Sequence, residues 1–80
     1  MGDTKMMARV INNQVTMFTK PGGHHYVDWV KRCETLYILE GYRYEERTWK
    51  DKRFVKVLNK RGYIGFCIID GLTPIEEKSK

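Results

Sequence analysis

His24 and His25, with Cys33 and Cys67, are the residues of this 80-residue chain that could hold a metal ion or supply a nucleophile. A structural zinc site takes four ligands, and two of them converge from one segment only when a few residues separate them. Adjacent histidines lack that spacing, so they read as a loop pair and no metal is expected. A thiol with a histidine and Asp28 would make a nucleophile, base and orienter. An activated nucleophile also needs a cleft and a base within hydrogen-bond reach. Neither cysteine sits in a local catalytic signature, and Cys67 falls in an apolar run beside a core face. The expectation is no enzyme, no catalytic residue and no cofactor. Two cysteines can form one disulfide, but buried reduced thiols are the simpler reading.

The other chemically marked residues are aromatic and basic. The chain has 3 Phe, 2 Trp and 5 Tyr, and a domain this small buries only about 60% of its unfolded surface. Several of Tyr26, Trp29, Tyr42, Tyr44, Trp49 and Tyr63 must therefore be partly exposed. Trp49 stands among Arg47, Lys50, Lys52 and Arg53 in a hydrophilic stretch, and tryptophan with arginine is enriched at contact hot spots. The alternative is that Trp49 begins a central strand and caps the core. The candidate contact set is Tyr26, Trp29, Tyr44, Arg47, Trp49, Lys50, Lys52 and Arg53. Lys50, Lys52, Arg53, Lys60 and Arg61, interleaved with Tyr44, Trp49 and Tyr63, could also track a nucleic-acid backbone while bases stack on the rings. Glu45, Glu46 and Asp51 tilt the choice toward a protein partner. Carboxylates inside a basic loop repel phosphates, yet they can set the register of a mixed-charge interface.

The elements that must carry these residues are strands. A formal net charge of +5, from 15 Lys and Arg against 10 Asp and Glu, favours an acidic partner, nucleic acid or a polyanionic wall polymer. No apolar run is long enough to cross a bilayer. MGDTKMMARV has no signal-peptide pattern, and Met6 stands where an N-myristoylation signal requires Ser or Thr. A cytoplasmic protein without membrane contact is expected. A start at Met1 reads as a complete small protein, although a piece of a longer chain could begin the same way.

Period-two patterns cover MARVI (7–11), VTMF (15–18), YVDWV (26–30), TLYIL (35–39) and RFVKVL (53–58), with turn chemistry at Asn12-Asn13 and Pro21-Gly22-Gly23. RYEERTW (43–49) can continue as a ribbon or a loop. Asn59-Lys60-Arg61-Gly62 joins RFVKVL to YIGFCII as an antiparallel hairpin, Gly62 supplying a positive φ. In that hairpin Ile64, Phe66 and Ile68 are expected to share the buried face with Val55 and Val57. Gly65 then lies on the opposite face, where a strand can bend or cross closely. Ile69-Asp70-Gly71-Leu72 reads as a single helical turn followed by Pro74, with a short last strand and a frayed tail expected in IEEKSK (75–80). The expectation is a single all-β domain over residues 1–80. It is a small barrel of five to six short antiparallel strands with a 3-10 turn near residues 69–72, and residues 1–6 and 76–80 are flexible tails. Its open strand edges would also permit a homo-oligomer.

The series Val15-Thr16-Met17-Phe18, Pro21-Gly22-Gly23, Leu36-Tyr37-Ile38-Leu39, Phe54-Val55-Lys56-Val57, Gly62-Tyr63-Ile64-Gly65-Phe66-Cys67 and Ile69-Asp70-Gly71-Leu72 resembles the bacterial Src-homology-3-like (SH3b) domains, over residues 8–74. Phe54-x-x-Val57 and Gly62-x-x-Gly65-Phe66 are the most specific pieces, with phenylalanine in both tryptophan positions of the family pattern. The resemblance implies an SH3-like barrel that binds and does no chemistry. Its groove would lie between the long first loop and the loop after the central strand, here Phe18 to Trp29 and Gly41 to Arg53. Eukaryotic members read proline-rich ligands with an "ALYDY" strand and an acidic first loop. This chain has no such strand and only Asp28 in that loop, so PxxP recognition is not expected. Bacterial members often bind wall polymers or act as intracellular protein-contact modules. The expected function is a non-catalytic module contacting an acidic protein partner, with nucleic acid as the rival and a cell-wall polymer third.

Overall fold

The computed structural model describes residues 6–75 apart from 24, 44 and 52. Nine strands follow in order: β1 Met6–Val10, β2 Gln14–Phe18, β3 Tyr26–Lys31, β4 Thr35–Glu40, β5 Tyr42–Arg43, β6 Thr48–Trp49, β7 Phe54–Leu58, β8 Ile64–Ile68 and β9 Leu72–Ile75. A 3-10 turn, Ile69–Gly71, stands between β8 and β9 as the sequence predicts, and it is the one helical element among the described residues. None of these elements is a helix long and apolar enough to cross a membrane. The strand count exceeds the expected five to six because every period-two segment forms a strand and the stretch after β4 adds the two-residue ribbon β5–β6. β1 takes in Met6 and the last strand starts at Leu72, ahead of Pro74 and not after it, while the remaining tail residues, 1–5 and 76–80, lie outside the described residues.

Seven strands form one antiparallel sheet in the order β3-β2-β8-β7-β4-β1-β9. The alternation that makes each segment a strand also decides what it buries. Val15 and Met17 point inward from β2, Ala8 and Val10 from β1, and Val55 and Val57 from β7. Val30 on one outer strand and Leu72 on the other join the same cluster of buried residues. The sheet therefore curls around a single interior, although no ladder joins β3 to β9.

The β7–β8 hairpin corrects one expectation. Antiparallel residues directly opposite one another share a face, and here Val55 pairs with Cys67 and Val57 with Gly65. Gly65 and Cys67 are the inward residues; Ile64 is 52% exposed and Ile68 36%. Phe66 is half-buried on the outer face. The cause is local crowding. A Cβ on Gly65 would stand 3.0 Å from the carbonyl oxygen of Phe18 and 3.1 Å from Met17 Cβ, so β2 crosses where only glycine fits. The close crossing was expected of Gly65, on the wrong face.

Candidate functional site

Cross-strand register assembles a row of side chains on the outer face of the sheet. Tyr26 on β3 pairs with Phe18 on β2, Phe18 with Phe66 on β8, Phe66 with Lys56 on β7, and Lys56 with Glu40 on β4. Trp29 leaves β3 beside this row, opposite Thr16, and stacks on Tyr26 with ring centroids 5.2 Å apart and planes 30° apart. Both rings are open to solvent, Tyr26 at 54% and Trp29 at 41%. Phe18 is seated by the loop that follows it. Thr19 N–H donates to the His25 carbonyl at 2.7 Å, and Gly23 lies against the Phe18 ring.

Where the row reaches β7, a shallow groove of about 350 Å³ opens between the sheet and the β5–β6 ribbon. Phe54 and Phe66 supply apolar walls, Lys50 and Lys56 cations, and Glu40 and Asp51 carboxylates. Gly41 admits the ribbon here. At φ 107° it brings the chain so near β7 that a Cβ would meet Val55 Cγ1 at 3.0 Å. The groove offers apolar area and alternating charge.

The sequence-derived candidates separate into two places. Tyr26 and Trp29 stand together on β3, while Lys50 lines the groove. Trp49 is half-buried: it packs against the core and edge-on to Tyr42, with centroids 4.7 Å apart and planes at 66°. It anchors the ribbon that forms one groove wall. Arg47, at φ 55°, is exposed at the ribbon's tip, and Arg53 is exposed ahead of β7 with its carbonyl accepting from Ile69 N–H at 2.9 Å. Arg43 Nη1 meets Glu46 Oε2 at 3.3 Å, so one carboxylate of the basic loop is partnered within it. Tyr44, Lys52 and His24 lie outside the described residues.

The contact set read from the sequence leaves out Phe18, Phe54, Lys56 and Phe66, and it misses what holds β3 in place. Asp28, buried on the edge strand β3, accepts from Asn59 Nδ2 at 2.8 Å and from Arg61 Nη1 at 2.9 and 2.8 Å. Asn59 Oδ1 accepts from the backbone N–H groups of Arg61 and Tyr63 at 3.0 and 2.9 Å, fixing the hairpin turn at the same time. Burial raises the Asp28 carboxyl, but the Trp29 backbone N–H, the Asn59 amide and the Arg61 guanidinium outweigh it and hold the group below its ordinary value. The available signal was parity, since Asp28 and Val30 must share a face on one strand.

The two cysteines are free, Cys67 buried and Cys33 exposed, so the reading of two buried thiols fails at Cys33. That residue sits in the β3–β4 turn at φ 73°. No group of three or more His, Cys, Asp or Glu side chains able to hold a metal ion occurs among the described residues. Comparison with protein-family models, with curated proteins and with solved structures finds no match to the chain.

Proposed function

We propose that the protein is a non-catalytic, SH3-like binding module that grips an acidic protein partner through the row from Tyr26 to Lys56 and the groove at its end. The observation that carries this reading is the stacked, solvent-open pair Tyr26 and Trp29, with Tyr26 in register with Phe18, Phe66 and Lys56. Rigid aromatic area at low entropic cost is what interface hot spots are made of. The order of β1, β4, β7, β8 and β9, with the β2–β3 hairpin inserted between β1 and β4 and a 3-10 turn before the last strand, supports the SH3-like assignment.

Nucleic acid is the rival, because rings in a row beside a lysine also suit stacked bases. Glu40 and Asp51 within the groove favour the protein reading, since a phosphate chain would meet both carboxylates. A pull-down from native lysate with wild type, Trp29→Ala and Trp49→Ala tests the site. Trp29→Ala should weaken capture of a specific partner at least about tenfold, the scale of a hot spot. Trp49→Ala should act through loss of stability. Equal recovery by wild type and Trp29→Ala would remove the site. A salt titration with random-sequence single-stranded DNA decides between the partners. Micromolar affinity with a steep log-log slope would replace the protein reading.

A further inference from the structure

The two end strands of the main sheet each have a side that no other strand covers, since β3 is bonded only to β2 and β9 only to β1. Along an antiparallel ladder, successive residues turn their backbone groups alternately toward the partner and away from it. Arg32 N–H donates to the Asn13 carbonyl at 3.1 Å, so Val30 and Asp28 face β2 and the backbone groups of Trp29 and Lys31 face the free side. On β9, Ile11 N–H donates to the Gly71 carbonyl at 2.9 Å, which leaves Leu72 and Pro74 on the free side. At all four positions the donor is engaged or missing. Lys31 N–H donates to Glu34 Oε2 at 3.3 Å, and the Lys31 carbonyl accepts from Glu34 N–H at 3.1 Å. Trp29 N–H turns to the Asp28 carboxylate. Leu72 N–H closes back on the Ile69 carbonyl, and Pro74 has no N–H to give.

An uncovered strand edge is a template for another chain, and inward charges, bulges and proline are the devices that blunt one. β3 carries the inward Asp28 and a register shift between Met17 and Phe18 on its ladder; β9 is four residues long and contains Pro74. We propose that β3 is a latent pairing edge for a second copy of this chain, and that Glu34 and Asp28 hold it shut. Self-complementarity selects the occupant. Antiparallel pairing about a twofold axis at Val30 sets Trp29 of each copy opposite Lys31 of the other, so the free-side groups of both residues meet their complements twice. Trp29 and Lys31 are both exposed on the outer face, and directly opposite residues share a face, so each ammonium would lie beside an indole ring. An unrelated extended peptide could take the backbone bonds but not this matched pair of side chains. The same surface on both copies gives a closed dimer. Growth stops there because β9 has no free-side donor among its described residues.

Sedimentation velocity on the full chain over a concentration series reads the outcome. Wild type should remain monomeric. Glu34→Ala, a change in the turn after β3, should strengthen self-association about tenfold or more, the worth of roughly one net hydrogen bond. Adding Asp28→Asn should strengthen it again. Adding Lys31→Pro to Glu34→Ala should return the monomer, because proline removes the free-side N–H and leaves the ladder to β2 whole. Circular dichroism confirms that each variant is folded, and if the double acidic variant does not fold, Glu34→Ala alone decides. No gain in association for Glu34→Ala would overturn the proposal, as would a dimer that Lys31→Pro leaves intact. A wild-type dimer dissolved by Lys31→Pro would show an edge that is open and not shut, and assembly beyond two copies would show that β9 is open as well; either result also overturns it.

Discussion

Two glycines of the β7–β8 hairpin do different work, and substitution separates them. Gly62 lies at φ 92° with open space where a Cβ would go, so alanine there meets backbone strain alone, on the order of 1–2 kcal/mol. Gly65 has an ordinary φ but no room, because the atoms a methyl would strike are a carbonyl oxygen and a Cβ of β2, neither of which is the far end of a flexible side chain. Gly65→Ala must push β2 off β8, an overpacking cost of about 1–3 kcal/mol. It should also displace Phe18, and with it Tyr26, from the aromatic row. Urea unfolding should rank Gly65→Ala as the more damaging, and partner capture should fall with it but not with Gly62→Ala. The reverse ranking would mean that β2 can yield at this crossing.

At the scale of the element, β8 is inverted relative to the usual equation of large apolar residues with the inside. The inward Cys67 carries a directly measurable consequence. Burial without a charged partner pushes its thiol up to about 12, so almost no thiolate forms at neutral pH. Cys33 is exposed in its turn. A disulfide reagent at pH 8 should label one thiol promptly and the second only in denaturant, with mass spectrometry placing the fast label on Cys33. Prompt labelling of both would turn β8 over and restore Ile64 and Phe66 to the core. This strand also marks how far the sequence was legible. The hairpin, its turn and Gly62 followed from local chemistry, as did the inward Val55 and Val57, whose alternation with Phe54, Lys56 and Leu58 is unambiguous. The facing of β8 did not, because IGFCI alternates large with small, and which set goes inside depends on how closely β2 passes. The same gap hid the candidate site. Tyr26 and Trp29 were visible as surplus aromatic area, but Phe18, Phe66 and Lys56 join them only through register between strands distant in sequence. Trp49 read from its neighbours either as a contact residue or as a cap on the core, and ribbon formation with Tyr42 turns it onto the core.

For the molecule as a whole, the question is what closes a sheet whose terminal strands share no ladder. β3 is held along one side by β2, and the Asp28 side chain supplies the long-range tie, reaching Asn59 and Arg61 in the β7–β8 turn. That tie depends on a charged carboxylate, and so the curl should be acid-sensitive. The folded carboxyl lies below its ordinary value of 3.8. The folded state therefore holds the charged form to more acid pH than the unfolded chain does. Its contribution is complete above the unfolded-chain value and is lost as pH falls through the folded one. Thermal midpoints measured from pH 7 to pH 2 should drop more steeply below about pH 4 for wild type than for Asp28→Asn, with the two curves converging at the acid end. Arg61→Met, which removes the cation but leaves Asn59 in place, should fall between them. Parallel curves for all three would mean that Asp28 is indifferent to its partners and that β3, with the rings it carries, is held by its ladder to β2 alone.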